Sequence, residues 1–114
     1  MAGSITNTVT IDFVANAQLA AGGAAAMSFL PDDIIDTARS AAPTTSTSHP
    51  AAVLQGRAAA SGKAFHNTGH PWVLDPVAAG IGETRTAILQ SFKRYPPTVI
   101  RGNASEIIAL DAMW

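Results

Sequence analysis

Apolar and polar positions along this chain follow two periods in turn, and the switches between them mark out its elements. Val9, Phe13, Val14 and Leu19 recur at roughly helical spacing after Ser4-Ile5-Thr6-Asn7, whose last side chain can cap. A first helix is therefore predicted from about Thr8 to Ala20. Gly22-Gly23-Ala24-Ala25-Ala26-Met27 carries almost no bulk before Met27. It reads as a short buried strand with Met27 filling core space, and the same bareness would let a backbone or a flat ligand approach closely. Pro31-Asp32-Asp33 sets proline and acids where they suit a helix dipole, so Ile34, Ile35 and Ala38 form the buried face of a second short helix. From Ala42 through Pro50 the composition is that of a flexible polar loop. A helix resumes at about Ala51 and runs to Asn67, with Gly69 ending it and Pro71 beyond.

Trp72-Val73-Leu74-Asp75-Pro76-Val77 is the clearest strand, an apolar run that ends in a carboxylate and then a proline that forbids further regular pairing. Thr86 to Tyr95 suits a crossover helix. Val99 and Ile100 suit a second buried strand, Gly102 a tight turn, and Asn103 the cap of a last helix that Glu106 and the following apolar residues continue. Strand, helix, strand and helix in this order predict a right-handed parallel unit of an α/β fold. Ligands bind at the carboxyl edge of such sheets, which places Asp75, Arg101 and Glu106 at one edge.

That edge is the candidate for chemistry. A helix N-terminus offers unpaired N–H groups and partial positive charge, so with Arg101 beside it the turn can hold phosphate, while Glu106 can position a hydrated magnesium ion. Asn103 with Glu106 three residues later is also a common capping arrangement, and that plainer role stays open. Gly80-Ile81-Gly82 lacks the third glycine of a dinucleotide loop. His49, His66 and His70 have no helical ligand spacing and read as surface residues rather than a zinc site.

Composition narrows the classes. With 114 residues, 47% hydrophobic and 13% charged, the chain forms one small packed domain. A net charge of −1 without a basic cluster gives no footprint for nucleic acid or an anionic membrane. No cysteine is present, which excludes disulfides and thiolate metal sites. The absence of a recognisable targeting or membrane-spanning segment adds the expectation of a soluble, cytoplasmic protein.

Ser4-Ile5-Thr6-Asn7, Phe13-Val14-Ala15-Asn16, the run from Leu19 to Ser28, Leu74-Asp75-Pro76-Val77 and the run from Ile100 to Ile107 together resemble, in order and spacing, the N-terminal half of hydroxyethylthiazole kinase. The resemblance implies a ribokinase-like three-layer α/β fold with a mostly parallel sheet, of which residues 1–114 form the N-terminal portion. It also implies transfer of the γ-phosphoryl group of ATP to the hydroxyl of 4-methyl-5-(2-hydroxyethyl)thiazole, a thiamine salvage step. Met27 then matches a thiazole-contacting methionine and Asn7 an asparagine near that pocket. Arg101 matches the nucleotide-binding arginine. Asn103 and Glu106 match an Asn-x-x-Glu element that organises magnesium (Mg2+) and phosphate, and Asp75 an acid on the same side, so Asp75 and Glu106 are the metal candidates and Arg101 and Asn103 the ATP contacts. The family's trimeric assembly, with active sites between subunits, is implied as well.

Two departures accompany the resemblance. The segment from about 42 to 56 lacks the family's apolar strand and the turn after it, so a central strand is expected to be missing. The glycine-rich anion hole and the residue beside the attacking hydroxyl have no counterpart up to Trp114, so no catalytic residue is assigned and little activity is expected of this chain by itself. The alternative is a truncated or frameshifted product without catalysis.

Overall fold

The computed structural model describes residues 2–5, 9–28, 31–39, 44–47, 58–69 and 71–114. Along the chain these form β1 (Ala2–Ile5), α1 (Ile11–Ala20), β2 (Ala25–Met27), α2 (Pro31–Arg39), β3 (Thr44–Thr47), α3 (Ala58–Thr68), β4 (Trp72–Asp75), α4 (Glu83–Ser91) with a 3-10 turn at Phe92–Arg94, β5 (Val99–Ile100) and α5 (Ala104–Met113). The five strands make one sheet in the order β2-β1-β3-β4-β5, and every pairing is parallel. Parallel neighbours need a crossover between them, which explains the alternation of strand and helix.

The core lies around β4. Trp72 and Leu74 are only 2% and 0% exposed, and their neighbours on the strand, Val73 and Asp75, are half-buried. One face of β4 thus points into a cluster formed by Phe65 of α3, Ile88 and Leu89 of α4, Phe92 and Leu110 of α5. The Trp72 ring lies between Phe65 and Phe92, with centroids 5.3 and 5.2 Å away in tilted geometry. Gly62 makes this packing possible, because a Cβ there would come within 2.9 Å of Phe92 Cδ1. Trp114 closes the far side by donating its indole Nε1–H to the Leu89 carbonyl at 2.9 Å. At the β4–β5 junction Thr98 N–H donates to Trp72 O and Trp72 N–H to Thr98 Oγ1, at 3.0 and 3.2 Å.

Several expectations hold. α2 begins at Pro31, Gly69 ends α3 with φ +67°, β4 ends at Asp75, and Asn103 caps α5. The Gly22 to Met27 run yields the short strand β2, half-buried throughout. α4 starts at Glu83 rather than Thr86, behind Gly82, whose φ of +79° suits the turn into the helix. Of the apolar face assigned to α2, Ile35 is half-buried, and the side chains of Ile34 and Ala38 lie outside the described residues.

Other expectations need correction. Thr44–Thr47, read as part of a polar loop and as the place of a missing strand, is β3, paired on both sides between β1 and β4. Threonine is β-branched and suits extended backbone, and the two flanking strands supply pairing that composition does not show. β1 was not anticipated either, yet it sits inside the sheet. Val99 and Ile100, expected to be buried, are 51% and 38% exposed because β5 is the sheet's rim among the described residues. α1 is helical as predicted, but its N-cap is Thr10 without a side-chain cap bond, and it buries none of its residues. The proposed Asn7 cap and the helical start at residues 51–57 lie outside the described residues.

Candidate active site

Two consecutive strand ends build the site. β4 stops at Asp75 because Pro76 has no N–H to continue the ladder. The β4–β5 ladder is carried one step past Ile100 by Arg101 N–H, which donates to Leu74 O at 2.9 Å. Arg101 is thereby set opposite Asp75, and its Nη1 donates to Asp75 Oδ2 at 2.6 Å. The arginine side chain is 78% exposed and the aspartate 16%, so one partner reaches out from solvent to a carboxylate held in the fold.

The turn into α5 closes the other side. Asn103 is the N-cap: its Oδ1 accepts Glu106 N–H at 3.0 Å and the Ser105 hydroxyl at 2.6 Å, while Glu106 Oε2 accepts Asn103 N–H at 2.9 Å. This is a complete capping box. Glu106 Oε1 also accepts Ala78 N–H, at 3.1 Å, from the turn after β4. Asp75, Val77, Arg101, Gly102, Asn103 and Glu106 line an open cavity of about 440 Å³ at the carboxyl ends of β4 and β5. Partial burial raises the Asp75 pKa above its ordinary value, with the Glu106 charge adding to the rise and the Arg101 charge and hydrogen bond opposing it.

Four predicted residues, Asp75, Arg101, Asn103 and Glu106, therefore meet in one cavity. Met27 does not join them. It ends β2 at the opposite rim of the sheet, in a register row that runs Met27, Ser4, Thr45, Val73, Val99. Four strand spacings of about 4.8 Å separate the row's ends by roughly 19 Å. Asn7, His49 and His70 lie outside the described residues, and His66 is an exposed side chain whose ring meets Tyr95 at 5.7 Å. No group of three or more His, Asp or Glu suited to a metal occurs among the described residues. Two carboxylates instead match a cation that keeps much of its water and shares phosphate oxygens, as magnesium does. Sequence reasoning missed Val77 and Ala78. Ala78 carries no sequence signal, since its φ of +55° is a conformation in which glycine or asparagine is expected.

Comparison with known proteins bears on the whole chain. The model of the hydroxyethylthiazole kinase family matches residues 1–113. A hydroxyethylthiazole kinase of Bifidobacterium adolescentis is 60% identical over 117 aligned residues, covering 100% of this chain and 39% of that protein. One from Clavibacter sepedonicus is 42% identical over 107, covering 93% of this chain and 39% of its own length. The chain thus spans about two fifths of the length of the relatives it matches. The solved hydroxyethylthiazole kinase of Pyrococcus horikoshii OT3 superposes with a TM-score of 0.84 at 28% identity, over 96% of this chain and 43% of that one. With residues 1–113 matched by the family model and the strand ends gathered at one cavity, this chain belongs to the hydroxyethylthiazole kinase family.

Proposed function

We propose that residues 1–114 are the N-terminal part of a kinase domain that uses ATP to phosphorylate the hydroxyl of 4-methyl-5-(2-hydroxyethyl)thiazole in thiamine salvage. The carrying observation is the convergence of Asp75, Arg101, Asn103 and Glu106 on one cavity at adjacent parallel strand ends. In this reading the Arg101 guanidinium leaves Asp75 to neutralise nucleotide phosphate, a transfer its exposed side chain can make. The α5 N-terminus, with Asn103 at its cap, adds backbone N–H groups and positive partial charge facing the same anion. Asp75 and Glu106 supply hard oxygen donors for hydrated magnesium, which when bound neutralises charge on the phosphate oxygens.

Met27 contacts the thiazole ring, with Asn7 near the same pocket. The position of Met27 at the opposite rim of the sheet from the phosphate end of the site supports active sites shared between subunits of a homotrimer. The protein acts in the cytoplasm. Among the described residues no helix is long and apolar enough to cross a membrane.

A second reading, a non-catalytic product that keeps the fold and some ligand contacts, is favoured by the capping box, in which Asn103 and Glu106 already satisfy each other's backbone groups. Phosphoryl transfer depends on positioning and charge stabilisation, so parts supplied elsewhere in the relatives would be decisive. The test incubates the chain with magnesium, ATP and the thiazole alcohol, beside a full-length relative, and assays thiazole phosphate by mass spectrometry. Product that disappears in Glu106→Gln carries the first reading. No product beside an active control carries the second.

A further inference from the structure

The turn after β4 has an uncommon backbone. Ala79 N–H donates to Pro76 O at 2.9 Å, and within this turn Ala78 has φ +55°, the sole positive value at a non-glycine among the described residues. L side chains disfavour that region, so something must hold Ala78 there. Its N–H donates to Glu106 Oε1 at 3.1 Å. The other carboxylate oxygen accepts Asn103 N–H at 2.9 Å in the second turn. Gly102 shows how closely the side chain is folded back, since a Cβ there would lie 3.1 Å from Glu106 Oε2 and 3.4 Å from Glu106 Cβ. Both oxygens of Glu106 are thus engaged with backbone, one in each of the two turns that border the cavity.

We infer that Glu106 is a positioning residue, a clasp whose carboxylate ties the turn after β4 to the turn before α5 and sets the opening of the cavity that Asp75 and Arg101 line. Hydrogen bonds from N–H groups to a carboxylate are charge-assisted and of the stronger kind, and these two fix backbone rather than mobile side chains. The clasp explains an alanine in a left-handed turn and a glycine beneath a carboxylate with one contact set. The inference rests on the kinase reading only for what the opening receives.

Amide hydrogen exchange on the 114-residue chain without nucleotide tests the clasp. In Glu106→Ala, exchange at Ala78 and Asn103 is expected to rise by about tenfold or more, the scale of one hydrogen bond to a charged group. Arg101 N–H, bonded to Leu74 O, keeps its protection. Should the alanine variant fail to fold, Glu106→Gln retains one carbonyl oxygen and protects only one of the two amides. Adding Ala78→Gly, which reaches the left-handed region readily, is expected to recover part of any lost Mg-ATP affinity in Glu106→Ala, whereas a purely metal-ligating Glu106 would not be rescued from residue 78. Unchanged exchange at Ala78 and Asn103, or an affinity loss that Ala78→Gly leaves intact, overturns the clasp. Exchange that responds in a chain binding no Mg-ATP upholds the clasp and removes nucleotide binding by residues 1–114 alone. Mg-ATP binding with unresponsive exchange overturns the clasp and upholds nucleotide binding.

Discussion

α1 and the unit from β4 to α5 both carry apolar residues at regular intervals, and they end in opposite environments. In α1 and just before it, Phe13, Leu19 and Val9 are 76%, 56% and 91% exposed, and no residue of the helix is buried. Around β4, Trp72, Leu74, Leu89, Phe92 and Leu110 are all exposed by 3% or less. The periodicity that makes a helix is therefore separate from the contacts that bury it. Burying a large apolar side chain contributes about 1.5–3 kcal/mol, so among the described residues the apolar stabilisation is concentrated in the later unit.

The largest expected effect breaks the packed side of that contrast. Trp72→Ala removes the ring held between Phe65 and Phe92 and should cost about 3–5 kcal/mol, read as a fall in the urea midpoint. An intermediate effect depends on pH. Asp75 binds its proton more tightly folded than unfolded, so its contribution to stability is full below the ordinary carboxylate value of 3.8 and is lost as pH rises through the raised one. Urea midpoints from about pH 3 to 7 should therefore decline for the native chain relative to Asp75→Asn across that acid window and then run level. Arg101→Ala, which removes the opposing charge, should move the window to higher pH. The smallest effect sharpens the exposed side: Phe13→Ser should change stability by no more than about 0.5 kcal/mol, because it breaks no buried contact. A loss as large as that of Trp72→Ala would show that α1 is buried in solution against something beyond the described residues.

The same contrast explains what could be read from residues alone. Trp72 to Asp75 was legible because an apolar run closed by Asp-Pro can do little else, and α5 because Asn103 and Glu106 satisfy each other's backbone groups locally. β3 was not legible, since Thr44–Thr47 gains its place from the strands on either side. Exposure at Val99 and Ile100 was hidden for the same reason: a strand's apolarity does not reveal whether it lies inside a sheet or at its rim. At the site, the residue types of Asp75, Arg101, Asn103 and Glu106 announced anion and cation chemistry, and parallel topology alone was enough to gather them. The separation of Met27 from that group follows from strand order, which no local pattern contains.

Strand order also has a temporal meaning. Beyond the first two strands the sheet grows in one direction, β3 beside β1, β4 beside β3 and β5 beside β4. During synthesis each of these strands leaves the ribosome to meet an edge that is already made; β3 closes a loop that holds α1, β2 and α2, and β4 and β5 each close only the loop of their own crossover. Within residues 1–114 the sheet is thus extended like a scroll unrolled in one direction, and the phosphate end of the site, from Asp75 to Glu106, is written onto it only after β1, β2 and β3 are in place.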